Sequence, residues 1–138
     1  MANWLEQFVN ALPHGQALGI EFVSSDSERG HATLRLPWRE DLVGDPATGV
    51  LHGGVITALL DTLGACSVLA RKVRMQATLD LRIDYLRPAT PRVDLIGEAE
   101  CYRVTRSVAF VRGSCHHGDP GRPVANLTAT FVLKEPKS

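Results

Sequence analysis

His52-Gly53-Gly54-Val55-Ile56-Thr57-Ala58-Leu59-Leu60-Asp61 opens an apolar run that reaches Ala70 with Asp61 as its only formal charge. Two glycines directly after a histidine, followed by apolar helix formers, read as a helix start near Gly53. The first turn of a helix leaves backbone N–H groups without intrahelical acceptors, and the positive end of the helix dipole lies behind them. Such a terminus suits an anion or a developing oxyanion. Asp61, two turns further in, is expensive to bury alone, because an isolated interior carboxylate costs several kcal/mol. A helix that is apolar on nearly every side is expected to be wrapped by protein rather than laid on a surface. Arg71, Lys72 and Arg74 gather at its C-terminal end, where cations complement the dipole.

Outward from this helix the chain reads mainly as strands. Residues 78–85 alternate Leu79, Leu81, Ile83 and Tyr85 against Thr78, Asp80, Arg82 and Asp84, the pattern of a half-exposed antiparallel strand. Pro88 and Pro91 interrupt it. Three further strands are expected over 93–104, 107–115 and 124–133, joined by turns at Thr105-Arg106 and Gly118-Asp119-Pro120-Gly121. Before the helix, 18–24 and 31–36 form a strand pair around Ser25-Asp26-Ser27, and 37–48 reads as a loop. Asn3 is expected to cap a first helix through Ala11, with Trp4, Leu5, Phe8 and Val9 on one stripe and Pro13 and Gly15 ending it. One central helix with five or six strands adjacent in sequence makes an α+β fold, a curved antiparallel sheet wrapped around that helix. A single domain is expected over 1–138, its core at about 18–133 and a polar tail at 134–138.

Fifteen basic and fifteen acidic side chains cancel, so no global field draws the chain to nucleic acid or to a membrane. The three cysteines, Cys66, Cys101 and Cys115, match no zinc spacing and read as free buried thiols in a reducing compartment. Residues 1–16 lack the basic start and apolar stretch of a signal peptide, and residues 55–70 fall short of a membrane span, which makes the cytoplasm the expected location.

Each candidate residue has a structural reading beside the chemical one. Gly53-Gly54 can simply allow a tight turn, and Asp61 can be a structural acid held by Thr57, by a strand hydroxyl or by an arginine. Together they supply the oxyanion donor and the acid of acyl transfer. The eight residues between them span about 12 Å along a helix, whereas reacting groups must lie within about 3–4 Å of the attacked carbon. If Gly53 and Asp61 serve one reaction, they come from two antiparallel helices related by a two-fold axis, and the chain is a homodimer. His52 reads as a positioning group beside the donor. Thr78 offers a hydroxyl, although its spacing alone is that of an ordinary strand threonine. His116 and His117 point to opposite faces of a strand, so no metal site is expected. Arg103 and Arg106, with Arg82 and Arg87 nearby, are either solvated charge or partners for phosphates.

The run Gly49-Val50-Leu51-His52-Gly53-Gly54 with Asp61 resembles the hot-dog fold acyl-CoA thioesterases of the phenylacetate-degradation (PaaI-like) type. The similarity continues through Asp80-Leu81-Arg82-Ile83-Asp84-Tyr85-Leu86-Arg87-Pro88-Ala89 and Val104-Thr105-Arg106-Ser107, covering roughly residues 18–133. The resemblance implies a dimer with a continuous sheet, often paired again into a tetramer, and an acyl-CoA thioester held at the dimer interface without a cofactor. By position it implies Gly53 as backbone donor to the thioester oxygen, with Gly54 beside it on the substrate. It implies Asp61 of the partner as nucleophile or general base, His52 as positioning group and Thr78 as the assisting hydroxyl. Arg103 and Arg106 would lie near the coenzyme A nucleotide. Where the family commonly has asparagine, this chain has Asp45-Pro46, and a carboxylate there is expected either to point away from a developing oxyanion or to titrate. Two alternatives share the fold: a 3-hydroxyacyl thioester dehydratase and a non-catalytic acyl-CoA-binding module. Trp4, Leu5 and Phe8 are expected to cap an acyl tunnel.

Overall fold

The structure, a computed structural model, describes residues 4–135. Helix α1 (Trp4–Ala11) buries Leu5 and Val9, with Phe8 partly covered, while Trp4 on the same turn is half exposed. Asn3 lies outside the described residues. Pro13 ends α1 but also starts a second helix, α2 (Pro13–Leu18), because proline fits the first helical position, where no N–H is needed. Gly15 therefore sits inside α2, and Gly19, at φ +80°, closes it. The first strand begins later than its composition suggests, as β1 (Glu21–Asp26), and turns through 27–30 into β2 (His31–Leu36).

Residues 37–49 are more ordered than a loop. A 3-10 turn (Glu40–Leu42) leads into β3 (Val43–Asp45), which pairs with β4 (Val50–Leu51). This small hairpin delivers the chain to helix α3 (Gly53–Ala70), whose limits match the glycine pair and the end of the apolar run. Strands β5 (Met75–Tyr85), β6 (Leu95–Val104), β7 (Val108–His116) and β8 (Ala125–Leu133) follow. All pairings are antiparallel, and the main sheet runs β1-β2-β6-β7-β8-β5. The hot-dog architecture is thus present: a six-stranded sheet around one long helix.

Alternate residues of β6, β7 and β8 (Leu95, Ala99, Cys101; Ala109, Val111, Cys115; Leu127, Ala129, Phe131) pack on Leu59, Leu60, Leu63 and Val68 of α3. Gly64 lets Phe131 approach, since a Cβ there would stand 2.9 Å from the ring. By length and composition α3 could cross a membrane, yet most of it is buried inside this domain. It is not wrapped all round. Val55, Ala58, Asp61, Thr62, Ala65 and Leu69 form a stripe that remains partly exposed along one side of the helix. Arg71 leaves the helix end to donate to the carbonyls of Cys101 (3.0 Å) and Glu28 (2.9 Å).

The alternation expected in β5 is broken by two bulges. Thr78 pairs with Phe131 and Asp80 with Thr130, so Leu79 is the extra residue between consecutive partners. The bulge turns Thr78 to the same face as Leu81, Ile83 and Tyr85, toward the helix, and leaves Leu79 59% exposed. Strand β5 is also the last in the sheet, with one long edge unpaired.

Candidate active site

The start of α3 is held from both sides. His52, extended at φ −62° and ψ 135°, caps the helix by accepting the Gly54 N–H at Nδ1 (2.8 Å). The carbonyl of the same peptide unit, that of Gly53, lies within hydrogen-bond reach of the hydroxyls of Thr57 (3.1 Å) and Tyr85 (3.0 Å), which also bond to each other, so one hydroxyl donates to the carbonyl and the other to its neighbour. The preceding peptide is fixed by its carbonyl, since His52 O accepts the Val55 N–H (3.0 Å). The N–H of that peptide, on Gly53, has no acceptor among the described residues. Of the two glycines, only Gly53 keeps a donor free, because the Gly54 N–H is taken by the imidazole.

Sequence reasoning does not single out Tyr85, and it offers Thr57 only as a partner for Asp61, not for the Gly53 peptide. Tyr85 reads as one more apolar position in an alternating strand. The available signal was its phenol, which needs a partner wherever the ring is pressed against protein. Its ring lies against Gly53, where an added Cβ would be 3.7 Å away. A cavity of about 400 Å³ opens here, lined by Leu51, Gly53, Ile56, Tyr85, Leu86 and Pro88 among others.

Asp61 sits eight residues along α3, on the partly exposed stripe, rather than fully enclosed. It is bonded neither by Thr57 nor by an arginine. The Thr78 hydroxyl donates to its Oδ1 (2.9 Å), and this contact exists because of the β5 bulge. The structure therefore gathers the sequence candidates into two groups. His52, Gly53 and Gly54 stand at the helix start with Tyr85, while Asp61 and Thr78 stand about 12 Å along the helix axis. One protomer does not bring them together.

Asp45 does turn its carboxylate onto its own loop, where Oδ1 accepts the Ala47 N–H (3.0 Å). The arginines part company. Arg106 lines a pocket of about 370 Å³ with Lys72, Arg74 and Lys134 at the other end of α3. Arg103 lies over the Phe110 ring, 5.9 Å from its centroid. His116 donates from Nε2 to Glu98 (2.6 Å) and accepts the Gly118 N–H at Nδ1. The three cysteines are free and buried. Trp4 and Leu5 line a cavity with Ala70 and Lys72, also at the helix C-terminal end and remote from Gly53.

Comparison with known proteins agrees with this fold. Residues 48–124 match the family described as the thioesterase superfamily. The medium/long-chain acyl-CoA thioesterase YigI of Salmonella typhimurium is 31% identical over 93% of this chain and 90% of its own length. A Halobacterium salinarum relative is 38% identical over 69% of this chain, which spans 65% of that protein. A Pseudomonas aeruginosa crystal structure is 43% identical with a TM-score of 0.81, covering 93% of this chain and 95% of its own. A mutant of the phenylacetic acid degradation protein PaaI of Thermus thermophilus is 27% identical, TM-score 0.75, over 88% of this chain and 98% of its own.

Proposed function

The chain belongs to the thioesterase superfamily and is a thioester hydrolase by kinship and fold, and from that premise we propose that it cleaves acyl-CoA at centres completed by two copies of the chain. The observation that carries this reading is the division of the candidate groups. A free, rigidly held N–H at Gly53 and an oriented carboxylate at Asp61 lie too far apart in one protomer to serve one carbonyl. Two antiparallel copies of α3, meeting on the stripe that contains Asp61, would set each Gly53 beside the other copy's Asp61. The unpaired edge of β5 supports the same pairing, since a long bare edge invites a further strand.

In this arrangement the thioester carbonyl oxygen accepts from the Gly53 N–H, with the helix dipole favouring the charge that develops there. Thr78 holds Oδ1 of Asp61 and leaves Oδ2 to take a proton from water or to attack the acyl carbon itself. If water attacks, the tetrahedral oxyanion collapses, the C–S bond breaks and the proton taken up by Asp61 passes to the leaving coenzyme A sulfur. If Asp61 attacks, C–S cleavage leaves a mixed anhydride on Asp61, which water then hydrolyses, releasing the acid and supplying the proton for the thiolate. His52 acts through the backbone as a cap. Lys72, Arg74, Arg106 and Lys134 form a cationic rim suited to the phosphates of coenzyme A. The apolar lining of the Gly53 cavity, with Leu51, Ile56, Leu86 and Pro88, favours an alkyl chain, in keeping with the YigI relative. Three unpaired buried thiols suit a reducing compartment and support a cytoplasmic location.

The test is thiol release from alkyl and aryl acyl-CoAs. The native chain turns over at least one class, and Asp61→Asn lowers kcat by about 100-fold or more. Tight binding of acyl-CoA without turnover across the panel would point to a binding module instead.

A further inference from the structure

The connection between β5 and β6, residues 86–94, has two halves with different work. Leu86, Arg87, Pro88 and Ala89 form one wall of the cavity beside Gly53 and Tyr85. The far half is tied down by contacts that the reaction itself does not use. His117, next after β7, presents both ring nitrogens to it. Nε2 accepts the Thr90 N–H (2.8 Å), and Nδ1 lies 3.0 Å from the Asp94 carbonyl oxygen, to which it donates. The ring is thus a two-point bracket across residues 90–94.

The bracketed segment is then locked to the strand that leads into Gly53. Pro91 packs on Gly49, where an added Cβ would come within 3.2 Å of the proline Cβ. Arg92 adopts φ +63°, a conformation kept only where the surroundings over-determine it, and lies 5.6 Å over Trp38. The Trp38 indole N–H donates to the Gly49 carbonyl (2.9 Å), and the Trp38 backbone N–H donates to the Asp94 carboxylate (3.3 Å). From Gly49 the chain continues through β4 to His52 and Gly53.

We infer that His117 is a positioning residue for substrate: its ring sets where the Leu86–Ala89 wall stands relative to the Gly53 donor. The inference rests on the thioesterase reading above and adds to it a residue remote from the reacting groups. Its loss should loosen the wall without moving Asp61, Thr78 or the Gly53 peptide, so the effect falls on KM rather than kcat.

The experiment compares the native chain with His117→Ala and His117→Gln, the glutamine oxygen being able to reach the Thr90 N–H. In the alanine variant, KM for the preferred acyl-CoA rises about tenfold while kcat stays within about twofold. Amide exchange at Thr90 speeds up by about tenfold or more in the same variant. Glutamine restores most of both, and His117→Leu, which fills the space without accepting the Thr90 N–H, takes the place of alanine if the alanine variant does not fold. The inference is overturned if Thr90 exchanges faster with KM unchanged, if its exchange does not change, or if kcat falls with KM constant. An active native chain with an indistinguishable variant sinks the bracket alone. A native chain that cleaves no acyl-CoA sinks the thioesterase reading and the bracket with it.

Discussion

Thr78 spends its hydroxyl proton on one oxygen of Asp61 and so decides which lone pairs of the other oxygen face outward from α3. Replacing it with valine keeps the shape and removes the proton. Thr78→Val should lower kcat about tenfold, the scale of one lost positioning hydrogen bond, and Thr78→Ser should recover it, as read by thiol release. Tyr85 acts on the other group. Tyr85→Phe removes one of two hydroxyls on the Gly53 carbonyl, and a fall in kcat of about threefold to tenfold is expected, with thermal stability nearly unchanged. The thiols make a prediction about stability rather than rate. Burial pushes Cys66 up to about 12 and Cys115 up to about 11, from an ordinary value of 9.0. Above pH 9 the unfolded chain sheds these protons while the folded chain keeps them. The stability is therefore fully present below about pH 9 and is lost as pH rises toward the folded values. The slope approaches about 1.4 kcal/mol per pH unit for each thiol, and urea unfolding between pH 7 and 10 measures it. The double variant Cys66→Ala, Cys115→Ala should flatten that slope.

Helix α3 was legible to the residue because its signals are local. A glycine pair after a capping histidine opens it, and the apolar run ends at a cluster of cations. Strands β6, β7 and β8 were legible within a few residues for the same reason, since turn residues bracket each apolar run. Strand β5 was legible as a strand but not in its facing. A bulge is fixed by pairing with β8, and period-two reading of one segment cannot register an extra residue in it. Thr78 was therefore named for the site by resemblance while its spacing placed it on the outer face. The β3–β4 hairpin was missed because strands of three and two residues carry too few positions for alternation to appear. Where strands close on backbone, the sheet tolerates no added atom. A Cβ on Gly113 would stand 2.5 Å from the Glu98 carbonyl oxygen and 2.8 Å from the Ala99 Cβ. Gly113→Ala must spread the β6–β7 ladder and should cost about 1–3 kcal/mol or more in urea unfolding. Gly64→Ala meets a phenyl ring that can shift, and the smaller loss belongs to it.

At the scale of the whole molecule, two features of the protomer are unfinished in the same way. The helix has a stripe left partly exposed and the sheet has an edge with no neighbour among the described residues, and the stripe holds Asp61. A two-fold pairing answers both, and it makes a prediction that no single-protomer site can meet. Gly53→Pro deletes the free N–H at a position where proline suits a helix start, and the Tyr85 ring leaves ordinary contact distance for its Cβ. Alone it should lower kcat by about 100-fold or more. Asp61→Asn alone should do the same. If each centre takes Gly53 from one copy and Asp61 from the other, a mixed dimer of the two variants has one centre with both defects and one intact. Unfolding and refolding an equimolar mixture should then restore about a quarter of native activity, since half the dimers are mixed and each has one working centre. If both groups came from the same copy, every centre in every dimer would carry a defect, and the mixture would stay as inactive as its components. Leu79→Lys tests the edge independently: it charges an exposed side chain of β5 without touching Asp61 or Gly53. Light scattering should show it shifted toward monomer, with activity falling in proportion to the dimer lost; a dilution series then separates the two, because a chain that works alone keeps its specific activity at every concentration.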